Sequence, residues 1–397
     1  MAKNLLIAHG GAPTAVINAS LYGAVTEAKK HGVDKIYGAI FGSAGILSES
    51  FVRLDEASEQ ELERLLTTPG SAIGTSRTQL EKPDYEKMVG VLQKNDIGYV
   101  LFTGGNGSMD TCGKLRATCV ELGADIAVCG IPKTIDNDIS VIDHAPGYAS
   151  AAYFQAQCVA EIAQDVKSLP IHVVIIEAMG RNAGWITAAS ALAREKYGDA
   201  PDIILLPEVA FDEDKFLAKV KEIHEKKGGV VVVASEYLHK ADGSAVAPPL
   251  FEEGRARYDG DLGSFLAKLV ISKLKIKARS EKPGIWGRAS IQCQSPVDRE
   301  EAVRMGALAC NAVLEGKSGY MAGIKRISTN PYKVEDVLVP IEQVMLTERT
   351  MPREFISEDG MDVTEAFCEW CRPIIGIEMP KYADFKGEFE LKGVKLH

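Results

Sequence analysis

Short apolar runs alternate with longer stretches of helical spacing along most of the chain. The first run, Leu5-Leu6-Ile7-Ala8, is continuously apolar and stops at His9-Gly10-Gly11. Such a run, bounded by turn residues, predicts a buried strand. Ala15 to Lys30 then carries helical spacing, and the alternation repeats. Strands are predicted over Lys35 to Ala39, Gly98 to Phe102, a run ending at Cys129, His172 to Glu177, Ile203 to Leu206 and Gly229 to Ala234. Helices are predicted over Ser58 to Thr67, Asp84 to Gln93, Met109 to Leu122, Ala149 to Asp165, Thr187 to Arg194 and Lys215 to Lys227. After an irregular stretch from Ala241 to Asp261 come helices over Leu262 to Leu274 and Asp298 to Glu315. Strands are expected over Trp286 to Gln292, Met321 to Arg326 and Val337 to Pro340. The tail from Glu348 to His397 has the weakest periodicity. Alternating strands and helices imply βαβ units. The expected class is α/β: two doubly wound, mostly parallel-sheet domains with a C-terminal extension.

Polar residues gather where these strands end. Pro132 bars the chain from continuing as a central strand. Lys133-Thr134-Ile135-Asp136-Asn137-Asp138 follows, with an ammonium, a hydroxyl, an amide and two carboxylates. Ligands of open α/β sheets bind at the carboxyl ends of strands. A solvated turn is the plain alternative. Gly10-Gly11 and Thr103-Gly104-Gly105-Asn106-Gly107-Ser108 each lie between a strand and a helix, where backbone N–H groups can meet an anion. The second lacks the Lys-Ser/Thr ending of a Walker A loop. Gly70 to Arg77 is a loop of small residues that could place Arg77 on a ligand.

Bulk properties narrow the function. Of 397 residues, 46% are hydrophobic and 25% charged, as in a globular protein. The net charge of −10 and pI near 5.4 argue against a general nucleic-acid or anionic-membrane binder. There is no signal-peptide pattern and no apolar run of membrane-spanning length, so a cytoplasmic location is expected. The eight cysteines include one lone C-x-x-C, Cys368 to Cys371, too little for a zinc site.

Four ordered motifs resemble the phosphofructokinases over about residues 3 to 375. They are Gly10-Gly11-Ala12-Pro13-Thr14, Gly104-Gly105-Asn106-Gly107-Ser108, Pro132 to Asp138 and Met179-Gly180-Arg181. The flavour is closest to the diphosphate-dependent branch. The resemblance implies phosphoryl transfer to the C1 hydroxyl of fructose 6-phosphate with Mg²⁺. Asp136 would be the base, Thr134 would position the phosphoryl group, and Lys133 would stabilise its charge. Arg181 counts among the catalytic residues. Gly11, Arg77, Gly105, Asn106, Gly107 and Ser108 would bind the donor, and Asn106 and Asp138 the metal. Thr134, Asp136, Asp138, Met179, Gly180, Arg181 and Glu236 would face the sugar. The implied division gives the donor side residues 1–147, completed by about 300–345. The sugar side would take 148–299, completed by 346–397. A homodimer or homotetramer is implied.

Several positions depart from the family pattern. Asn106 stands where an aspartate is usual, which weakens the metal site to a neutral oxygen. Gly107 stands where the diphosphate branch has an aspartate, and it admits ATP, the donor this reading favours. Lys133 resembles the residue that supports diphosphate, the alternative donor. His172 and Cys293 replace two arginines of the sugar-phosphate site, with Arg288 and Arg299 as candidate substitutes. A sugar lacking the 6-phosphate is therefore an alternative acceptor, and a non-catalytic sugar-phosphate or nucleotide sensor an alternative function.

Overall fold

A computed structural model describes residues 3–196, 198–253, 256–258 and 260–385. Two sheets organise it. The first contains β1 (Asn4–His9), β2 (Ile36–Ala39), β3 (Phe51–Arg53), β4 (Ile97–Gly104) and β5 (Ala127–Pro132). The second contains β6 (His172–Ala178), β7 (Ile203–Leu205) and β8 (Val230–Ser235). A small antiparallel ribbon follows, β9 (Phe251–Glu253) with β10 (Ala256–Tyr258), and then β11 (Lys277–Glu281) joins the second sheet. The chain returns to the first sheet with β12 (Tyr320–Ser328) and β13 (Lys333–Pro340).

The strand orders are β13-β12-β5-β4-β1-β2-β3 and β11-β6-β8-β7. The second sheet is parallel throughout, and the first is parallel except for its two edge strands. Period-2 geometry explains the continuous apolar runs. Leu5 and Ile7 enter the core on one face of the first sheet, and Leu6 and Ala8 that on the other. Val174 and Ile176 face one core of the second sheet, and Val173 and Ile175 the other. The expected α/β class with two parallel-sheet domains is therefore observed.

Three local expectations need correction. Trp286 to Gln292 is no strand. A short helix, Trp286–Ala289, occupies its start, and Ile285 and Trp286 are exposed. The strand that does pair there is β11, whose Lys-Ala-Arg-Ser-Glu sequence carries no apolar signal because it lies at a sheet edge. The weakly periodic tail contains a helix, Glu365–Ile375, which buries Phe367, Cys371 and Ile374 beside the second sheet. Residues 386–397 of the tail lie outside the described residues. Among the described residues, no helix is long and apolar enough to cross a membrane.

A buried charge network joins the loop after β5 to the long helix Pro296–Leu314. His144 Nδ1 lies 2.7 Å from Asp143 Oδ2, and Nε2 lies 2.7 Å from Glu301 Oε2. Arg326 Nη2 donates to Asp143 Oδ2 at 2.9 Å, and the Tyr332 hydroxyl donates to Glu301 Oε1 at 2.7 Å. Burial alone would lower the histidine's pKa. The carboxylates of Glu301 and Asp143 overcome it and raise the value to about 9. Because the folded value is raised, this stabilisation is fully present below pH ~6.5 and is lost as pH rises through about 9. Thermal melting of the wild type is expected to fall over that interval. Glu301→Gln should lose about 3–5 kcal/mol of stability at neutral pH and flatten the alkaline slope. An unchanged slope in the variant would place the pH sensitivity elsewhere.

Candidate active site

β1, β4 and β5 are adjacent and parallel, so their carboxyl ends bring three loops to one edge. The chain leaves β1 towards β2 on one side and later enters β4 on the other, which makes this edge a topological switch point. In the first loop, the Gly10 N–H donates to Thr103 O at 2.9 Å and the Gly11 N–H to Ser76 O at 3.0 Å. Thr75 Oγ1 donates to Gly11 O at 2.6 Å, so the loop carrying Arg77 is stitched to the first. Gly11 has φ +74°, a conformation glycine adopts without strain.

These loops surround a cleft of about 430 Å³. Gly11, Arg77, Gly105, Asn106, Gly107 and Ser108 line it. Lys133, Thr134, Asp136 and Asp138 line it as well, so ten residues singled out in the sequence meet in one place. Asn106, Gly107 and Ser108 form the first turn of the helix Asn106–Glu121, whose positive end favours anions. Sequence reasoning missed Ser76, Thr78, Thr111 and Glu348. Ser76 and Thr78 flank Arg77 and could have been included. Glu348 had no local signal, because it reaches the cleft from beyond β13.

Desolvation dominates the electrostatics. Burial lowers the Lys133 pKa to about 8, with Arg77 and Arg288 acting in the same direction and Asp136 opposing. Burial raises the Asp136 pKa to about 7, helped by the charges of Asp138 and Glu236 and opposed by Lys133. Lys133 Nζ also donates to Ala12 O. Thr134 Oγ1 accepts the Asp136 N–H at 3.1 Å. Asn106 Nδ2 donates to Asp138 Oδ2 at 2.9 Å. Their remaining oxygens, Asn106 Oδ1 and Asp138 Oδ1, are buried without a hydrogen-bond partner. Two unsatisfied oxygens on hydrogen-bonded neighbours suit a hard cation that completes its shell with water and substrate phosphates. Among the described residues, no group of three or more His, Cys, Asp or Glu side chains forms a full metal cage.

The residues singled out on the second sheet, Met179, Gly180, Arg181 and Glu236, do not line this cleft. Met179-Gly180-Arg181 follows β6, and the Gly180 N–H donates to Glu236 Oε1 at 3.1 Å at the end of β8. Met179 shares a small cavity with Ile135, next to Asp136. The Arg181 guanidinium lies 5.6 Å from the Tyr237 ring centroid. The charge of Arg288 reaches Lys133, and its Nε is buried without a partner. Arg299 bonds Gln294 at 3.4 Å, and like Arg181 and Arg288 it does not line the cleft. His172 starts β6 while Met179 follows its end, so the two lie roughly 20 Å apart at ~3.3 Å per residue. His172 therefore sits at the opposite end of β6 from the Met179 turn. Cys293 is half-buried, and its N–H bonds Ser290 Oγ at 3.4 Å.

The comparisons agree with this architecture. The phosphofructokinase family model matches residues 4–313. A pyrophosphate–fructose 6-phosphate 1-phosphotransferase of Rhodospirillum rubrum is 38% identical over 390 residues, covering 95% of each chain. A sulfofructose kinase of Alkalicoccus urumqiensis is 32% identical, covering 94% of this chain and 95% of its own. The crystal structure of a pyrophosphate-dependent phosphofructokinase from Nitrosospira multiformis superposes with a TM-score of 0.88 at 34% identity, covering 100% of this chain and 98% of its own. With its loops, its two parallel sheets and a family match across most of its length, the chain belongs to the phosphofructokinase family.

Proposed function

We propose that this phosphotransferase moves a phosphoryl group from inorganic diphosphate to the C1 hydroxyl of fructose 6-phosphate. The observation that carries the choice of donor is the character of the cleft wall. Its large apolar side chains, Phe102 and Ile135, are only 1% and 7% exposed, while Lys133, Arg77 and the glycine loops are presented to a small anionic donor. The relative from Rhodospirillum rubrum supports the same donor by its name.

Under this reading Asp136 removes the C1 hydroxyl proton as the oxygen attacks the donor phosphorus. The bridging P–O bond breaks and phosphate leaves. A pKa near 7 suits a base at neutral pH. Lys133, Arg77 and the Gly11 backbone hold the donor and stabilise charge spreading over its oxygens. Asn106 Oδ1 and Asp138 Oδ1 would hold Mg²⁺, which supplies charge neutralisation on the phosphoryl oxygens when bound. Arg181 and Arg288 would donate hydrogen bonds to the acceptor's anionic group.

A second donor reading, ATP, is favoured by Gly107. A Cβ there would meet nothing within 4 Å, and Phe41, whose ring lies against Gly74, is 61% exposed. A second acceptor reading, a fructose bearing sulfonate in place of the 6-phosphate, rests on the relative named sulfofructose kinase and on His172 and Cys293. An activity matrix of diphosphate and ATP against fructose 6-phosphate, sulfofructose and fructose separates all of these. Diphosphate with fructose 6-phosphate should exceed every other pair by about tenfold or more in kcat/KM, a margin of ~1.4 kcal/mol. A preference for ATP or for sulfofructose would overturn the corresponding half. Gly107→Asp should leave diphosphate turnover within about fivefold and suppress residual ATP use.

The pH dependence follows from the two shifted groups. Asp136 must be ionised, so kcat/KM should rise with pH through about 7. Lys133 must be protonated, so kcat/KM should fall as pH rises through about 8. The profile should be a narrow bell. Lys133→Arg should abolish the alkaline limb, since a guanidinium keeps its proton. A persistent alkaline limb would assign it to another group.

A further inference from the structure

The loop that carries Asp136 and Asp138 is held in an unfavourable backbone conformation. Asn137 has φ +53° and Val141 φ +74°, and a β-branched residue rarely adopts such a value. Val141 is 58% exposed, so its own packing does not hold it there, whereas Asn137 is buried and its Oδ1 accepts the Ala145 N–H at 3.1 Å. A further restraint comes from more than two hundred residues away. Arg349 Nε and Nη2 donate to Asn137 O at 3.3 and 3.0 Å. Its Nη1 donates to Ile142 O at 2.5 Å and to Asp143 O at 2.9 Å. Its backbone N–H donates to Asp138 O at 2.8 Å.

Arg349 therefore touches both ends of the strained segment, and its hydrogen bonds there go to backbone carbonyls. A guanidinium used mainly for an ion pair would face a carboxylate bidentately. This one uses its planar fork to fix a backbone path. Its flat face lies 4.7 Å from the centroid of the buried Trp185 ring. Trp185 opens the helix Trp185–Ala189, directly after the turn that contains Met179, Gly180 and Arg181. The preceding residue, Glu348, lines the cleft. One side chain thus contacts the loop after β5 and the segment after β6.

We propose that Arg349 is a positioning residue, which holds the Asp136–Asp138 segment in its working geometry and couples it through Trp185 to the acceptor-side turn. This rests on the proposed roles of Asp136 and Asp138. An ammonium cannot span Asn137 O and the Ile142 and Asp143 carbonyls together, so Arg349→Lys should fail as Arg349→Met does.

The test uses both full-length variants, with two readouts. Steady-state kinetics should show kcat lowered by about thirtyfold or more, with each KM within about threefold of wild type. Hydrogen exchange should quicken by about tenfold or more across residues 136–145 and stay unchanged across 203–235. A variant with kcat within threefold of wild type, or with unchanged exchange across 136–145, overturns the proposal. General loss of protection in both segments also overturns it, since Arg349 would then be a global stabiliser. If the wild type transfers no phosphoryl group from diphosphate or ATP, the functional reading fails, and the local exchange result alone decides whether Arg349 clamps the loop.

Discussion

Ser108 Oγ occupies the space that a methyl group on Gly10 or Gly104 would need. A Cβ on either glycine would come within 2.2 or 2.0 Å of it. This close approach sets the distance between the first two phosphate-side loops, because β1 and β4 are hydrogen-bonded neighbours and their ends cannot separate without breaking the sheet. The third loop is fixed the same way, with the Lys133 N–H donating to Gly104 O at 3.0 Å. The cleft is thus shaped by backbone hydrogen bonds between the loops and by the Ser108 side chain seated against two glycines. Its glycines make room for that contact, and its functional side chains project from a rigid edge.

The chemistry depends on what this rigid edge removes from water. If mutual attraction dominated the Lys133–Asp136 pair, the lysine's pKa would rise and the carboxylate's would fall. The reverse holds: the lysine falls to about 8 and the carboxylate rises to about 7. Desolvation outweighs the attraction, so the charges are not satisfied by one another. A donor bearing several negative oxygens would relieve the lysine, and proton uptake from an alcohol suits a carboxylate whose ionised form is destabilised. The buried His144 network shows the contrast. There two carboxylates overcome burial and hold the histidine charged, as expected of a structural ion cluster.

Much of this was legible in sequence because the information is local. Continuous apolar runs identify β1, β4, β5, β6 and β8, and the residues just past each run must then lie at one sheet edge. That logic alone placed Gly11, Gly107, Lys133 and Asp136 near a ligand site. It failed where burial is one-sided or contacts are distant. β11 is an edge strand with alternating half-exposed residues, and Pro373 sits inside the tail helix, so neither showed a clean period. Glu348 and Arg349 reach the site only because the tail crosses back over both sheets, and no spacing rule connects position 349 with position 137.

The acceptor side was the least legible for a further physical reason. Parallel strands have two ends, and a residue's importance depends on which end it occupies. His172 and Met179 are seven positions apart in sequence and roughly a strand length apart in space. None of His172, Arg181 and Arg288 lines the cleft around Asp136, although the charge of Arg288 reaches Lys133. Gly180 and Glu236 meet at the carboxyl ends of β6 and β8 while His172 opens β6 at its other end, so a motif spacing read along one strand does not place its two ends in one site.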